Sequence, residues 1–123
     1  MSLSDSEREV KRLREWKKRA KGHPTRWRII RDAVAVLSLG WMSTSQFMIA
    51  MRRLWALKNS TSRELLEELE SEKAIVQEKD DRGVYTWGAT PEGVAFWIRT
   101  TKAIPAGVVE AASTSLAVRT LEA

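Results

Sequence analysis

Residues 61–97 read TSRELLEELESEKAIVQEKDDRGVYTWGATPEGVAFW, and this stretch decides the fold. Leu65, Leu66 and Leu69 recur at helical spacing through its first part. Ala74–Glu78 (AIVQE) then reads as a strand, Lys79–Gly83 as a charged turn, and Val84–Gly88 (VYTWG) as the antiparallel partner. Thr90-Pro91-Glu92-Gly93 has the chemistry of a helix start. Threonine accepts from a first-turn N–H, and proline suits the first helical position because its missing N–H costs nothing there. Val94, Phe96, Trp97 and Ile98 lie on that helix, which Ile104-Pro105 ends. The expected order is helix, hairpin, helix.

Working outward, Ser43 and Gln46 form a capping box that opens a helix through about Leu57. Phe47, Met48, Met51, Leu54 and Trp55 give it a buried face, while Arg52 and Arg53 point elsewhere. Asn59-Ser60 reads as a turn, and Thr61 with Glu64 as a further capping box. Upstream, Thr25 to Leu39 predicts a helix with Trp27, Ile30, Val34 and Leu37 on one face and Arg28, Arg31 and Asp32 on the other. Gly40 stops it. Ser4 and Glu7 cap a first helix that Gly22 and Pro24 end, with only Val10, Leu13, Trp16 and Ala20 as an apolar stripe. Residues 108–121 predict a last helix, with Val109, Ala112, Leu116 and Leu121 near one face. The class is mainly α with a small β-hairpin. Residues 1–22 form a basic arm, 25–103 the central domain, and 105–123 a C-terminal helix able to serve in dimerisation. Trp27, Trp55, Trp87 and Trp97 are expected in the core, Trp41 buried beside the first core helix, and His23 in a turn.

With 123 residues, 43% hydrophobic and 30% charged, the chain is long enough to bury a core and is not composed like a disordered segment. It has no cysteine and one histidine, which excludes disulfides and thiolate metal sites and leaves no zinc cluster. No apolar run approaches the ~20 residues of a membrane helix, and no signal peptide is visible, so a cytoplasmic protein is expected. Net charge is +5 but unevenly spread. Residues 8–31 hold eleven basic side chains against Glu9 and Glu15, a local balance of +9. Residues 59–81 hold eight acids against Arg63, Lys73 and Lys79, a balance of −5. The basic end is the natural polyanion contact.

The run from Ser43 to about Trp97 resembles the winged helix-turn-helix family, in the style of MarR- and PadR-type transcription regulators. The LLEELESEKAIV junction, the KDDRGVYTW hairpin and the TPEG helix start carry the likeness. Lys73-Ala74 stands where the family usually has glycine before the strand, and Gly88-Ala89 where it usually has leucine before Thr90. The resemblance implies a DNA-binding regulator, bound as a homodimer to double-stranded DNA and, in the cell, to the nucleoid. It implies a recognition helix from about Thr61 and a wing at Lys79 and Arg82, with extra helices at both ends of the domain.

The recognition helix carries Glu64, Glu67 and Glu68, which phosphates repel and which only rarely read a cytosine amino group. Its start is better suited: Asn59, Ser60, Thr61, Ser62 and Arg63 combine small donors, a helix N-terminus and one guanidinium. The grip is expected chiefly from Arg8, Lys11, Arg12, Arg14, Lys17, Lys18, Arg19, Lys21, Arg28 and Arg31, with Arg52 and Arg53 as backbone clamps. Two other readings stay open. The Glu64/Glu67/Glu68 surface suits a basic protein partner, and Trp16 suits stacking on single-stranded nucleic acid. No nucleophile–histidine pair, metal-ligand cluster or glycine-rich phosphate loop points to catalysis, and no cofactor is implied.

Overall fold

The computed structural model of the protein describes residues 24–98 and 104–118, together with Arg8, Lys11, Arg14 and Glu15. Those last four are helical and exposed. The Ser4/Glu7 cap, the Val10–Ala20 stripe and Arg12, Lys17, Lys18, Arg19, Lys21 and Leu121 lie outside the described residues. Among residues 24–98 and 104–118, five helices and one hairpin follow in the order α1 (Pro24–Leu39), α2 (Thr44–Trp55), α3 (Asn59–Ser71), β1 (Ile75–Lys79), β2 (Tyr85–Ala89), α4 (Pro91–Trp97) and α5 (Ala106–Ala117). No helix among the described residues is long and apolar enough to cross a membrane.

Helix α1 is the central post. Ile30, Val34 and Leu37 are buried as their spacing predicts, but so are Ala33, Ala35 and Val36. The reason is that α2, β2, α4 and α5 all pack against it. One consequence overturns an expectation: Asp32, expected on the polar face, is buried and accepts from the Trp55 indole N–H at 2.9 Å. A carboxylate enters a core only with such a donor. Trp27 and Trp55 are half-buried at the core's margin, whereas Trp97 and Trp87 belong to the core itself. Trp41 is exposed rather than buried; its indole rests on the outside of Gly88, where an added Cβ would stand 2.7 Å from the ring.

The α2 capping box forms as predicted. The Ser43 hydroxyl accepts from Gln46 N at 3.2 Å, and the Gln46 side chain accepts from Ser43 N at 2.9 Å. Phe47, Ala50 and Met51 then enter the core fully buried, each large side chain contributing roughly 1.5–3 kcal/mol. Helix α2 ends on Ala56 in the left-handed region at φ 53°, with its N–H on the Arg52 carbonyl. That turn brings the chain back into helix at Asn59, two residues before the expected start, with Lys58 in the cap position. Thr61 is therefore inside the helix and caps nothing. The phase that results turns Ser62, Leu65, Leu66 and Leu69 inward.

Lys73 adopts φ 58°, a left-handed conformation at the α3–β1 corner that glycine would take more easily. The hairpin pairs Ile75 with Ala89 through Lys79 with Tyr85, one residue later than read from the sequence. A third strand position adds to it: Met42, between α1 and α2, exchanges backbone hydrogen bonds with Trp87 at 3.0 and 2.7 Å. At the far end of the hairpin the Thr90 hydroxyl caps α4 by accepting from Gly93 N at 3.0 Å. Thr90 also reaches back to the Ala74 carbonyl with its N–H, at 3.0 Å, and with its hydroxyl, at 3.1 Å. This closure needs a glycine at position 93, since a Cβ there would meet the Ala74 backbone.

Helix α5 folds back across α1 and α2. Val108, Ala111, Ala112 and Ser115 are buried, Leu116 packs near Gly40, and the Ser115 hydroxyl donates to the Gln46 carbonyl. The stripe expected to join two copies is thus largely occupied within one chain; of its described members only Val109 is exposed. Its phase is offset because the helix begins at Ala106.

Candidate nucleic-acid interface

Helices α2 and α3 are joined through the left-handed Ala56, and the second of them starts at the surface. Asn59, Ser60, Thr61 and Arg63 are exposed there. No side chain caps α3, so its first N–H groups are left for an outside acceptor, and the positive end of the helix dipole adds to their pull on an anion. Arg52 reaches across from α2 and donates from Nη2 to the Asn59 Oδ1 at 2.5 Å, which holds a guanidinium beside the α3 start. Ser62 departs from this group. It is fully buried and its hydroxyl has no partner, because the helix begins early enough to turn it toward the core.

Beyond the first turn α3 is acidic: Arg63 against Glu64, Glu67, Glu68 and Glu70 leaves the helix at −3. Glu64, Glu67 and Glu70 are exposed, but Glu68 is half-buried and ion-paired with Arg26 of α1. The acidic surface read from the sequence is therefore one carboxylate smaller. Forty-two residues separate Arg26 from Glu68, and no local pattern announces the pair.

The other basic residues divide by what they touch. Arg28 is exposed. Arg31 lies 5.4 Å from the Trp27 ring centroid, with its Nε 3.5 Å from Asp32, so part of its charge is answered within the chain. Arg53 pairs with Glu110 of α5 at 3.2 Å, both side chains more than half exposed. Such a surface pair contributes only about 0–1 kcal/mol, so a phosphate can take the guanidinium from it. Arg8, Lys11 and Arg14 are spaced three apart, on one side of a helical stretch.

The β1–β2 hairpin is held from inside its turn. One Asp80 carboxylate oxygen accepts from both Arg82 N and Val84 N at 2.9 Å, and Gly83 supplies the positive φ of 80° that the bend needs. Arg82 is exposed at the tip, and the Lys79 ammonium sits 5.3 Å from the Tyr85 ring centroid. Among the described residues no group of three or more His, Cys, Asp or Glu side chains is placed to hold a metal ion. No protein-family model, curated protein or solved structure matches the chain.

Proposed function

We propose that the protein is a winged helix-turn-helix DNA-binding protein that acts as a transcription regulator. The observation that carries this reading is the Met42–Trp87 bridge, which makes the hairpin a three-position sheet. The order is then helix, short strand, helix, helix, strand, wing, strand. In this reading the α3 start (Asn59, Ser60, Thr61, Arg63, with Arg52 behind it) meets the phosphates at a groove edge, and Arg82 at the wing tip makes a second contact. The basic residues of the 8–31 segment add sequence-independent grip. Carboxylates along the rest of α3 keep that helix from lying deep in the groove, so most contacts position the duplex rather than read it. A second copy on the same DNA docks elsewhere than on Ala112 and Leu116.

The test is fluorescence anisotropy of a labelled duplex titrated with the full chain and with R63A and R82A. Each substitution weakens binding severalfold and leaves the thermal transition in place, because both side chains are exposed. Unchanged affinity in both variants removes the α3 start and the wing from the interface.

A second reading rests on the exposed Glu64 and Glu67, which suit a basic protein partner. E64K/E67K separates the two readings. It strengthens DNA binding if α3 faces phosphates, and leaves it unchanged if that face serves another protein.

A further inference from the structure

Tyr85 is the one tyrosine of the chain and, among the described residues, the most exposed of the large apolar side chains, at 55%. Strand alternation puts it on the same face of β2 as Trp87 and Ala89. Those two cover the core, whereas Tyr85 stands beyond the core's edge, opposite Lys79 in the last pair before the turn. The Lys79 ammonium takes a position over the ring at 5.3 Å. Arg82 lies at the turn just beyond, and the Asp80 carboxylate fixes the backbone on both sides of Gly83 through Arg82 N and Val84 N. An aromatic ring is thus presented beside a turn that Asp80 braces, with one cation over it and a second carried by the turn itself, at a place where it contributes little to the core.

The geometry points to Tyr85 as a stacking residue for an unpaired base, with Lys79 and Arg82 on the neighbouring phosphates. The ligand would be DNA with a bubble, gap or frayed end rather than a continuous duplex. In an intact duplex the base faces are stacked against one another, and an aromatic ring meets only sugars and base edges. An unpaired base offers its π-face, and a ring flanked by cations is the pairing that single-stranded sites use. This inference rests on the nucleic-acid reading above and narrows its ligand.

The experiment compares two labelled DNAs of equal length, one fully paired and one carrying a short central bubble, against the full chain, Y85A and Y85F. The full chain binds the bubbled DNA more tightly. Y85A loses roughly 5- to 150-fold on that DNA alone, the range alanine substitution of a stacking residue gives, and Y85F keeps most of the affinity. Because the chain has one tyrosine, 3-fluorotyrosine incorporation yields a single fluorine resonance, which shifts with the bubbled DNA and stays with the paired one. Equal affinity for the two DNAs with no effect of Y85A overturns the stacking role and leaves the duplex-binding reading standing. Equal losses in Y85A and Y85F assign the effect to the hydroxyl and also overturn stacking. Absence of binding to either DNA overturns both readings together.

Discussion

Gly93→Ala tests how the hairpin is tied to the rest of the domain. A methyl group on Gly93 would stand 3.0 Å from the Ala74 carbonyl carbon and Cα, and closer still to the carbonyl oxygen. These are backbone atoms of the α3–β1 corner and have no rotamer by which to retreat. Relief requires α4 to move off the corner, which strains the bonds from Thr90 N and Thr90 Oγ1 to the Ala74 carbonyl. Overpacking of this kind costs about 1–3 kcal/mol, and each weakened hydrogen bond about 0.5–1.5 kcal/mol. Alanine returns at most about 1 kcal/mol in helix propensity. The net expectation is a loss of about 2–4 kcal/mol. With a urea m-value of about 1–3 kcal/mol/M, the midpoint falls by roughly 0.7–4 M. Gly107→Ala is the matched control, since nothing lies within 4 Å of its added methyl group at the start of α5. It should leave stability unchanged or raise it by up to about 1 kcal/mol. Urea denaturation followed by tryptophan fluorescence measures both. If G93A unfolds at the same urea concentration as the wild-type chain, the corner is not closed by this contact and the argument fails.

Ala56 ends α2 at φ 53°, so A56G should stabilise the protein by about 0.5–1 kcal/mol, read as a higher thermal midpoint; a lower midpoint contradicts the left-handed turn. Trp55→Phe removes the indole donor from the buried Asp32 carboxylate and should cost about 2–4 kcal/mol in denaturant titration. Asp32→Asn, whose amide oxygen still accepts, should cost less than W55F. Equal costs would mean that the hydrogen bond is not what holds Asp32 in the core.

What was legible in the sequence was mostly local. The Ser43/Gln46 capping box and the Thr90-Pro91 helix start are read from residues one to three apart, and both form. The hairpin is displaced by one residue because Asp80, rather than Lys79, closes the turn. The errors arose where a face depends on its neighbours. Asp32 fits the polar side of an isolated α1, but α1 is surrounded and has little polar side left near its middle. Trp41 reads as buried beside α1, yet it stays exposed, its ring resting on the side-chain-free Gly88 at the surface. The start of α3 could not be read because Ala56 gives no sign that it takes a left-handed turn. Ser62 was recoverable, since its spacing to Leu65, Leu66 and Leu69 places it on their face. The Arg26–Glu68 and Arg53–Glu110 pairs join residues far apart in the chain, and periodicity cannot find them.

The claim that this chain grips DNA through its cations is tested most directly by the salt dependence of duplex binding by the intact protein. Contact with about 6–10 phosphates predicts a log–log slope of roughly −5 to −9, with tight binding at low salt. No binding at low salt, or an affinity that does not change with salt, would contradict it.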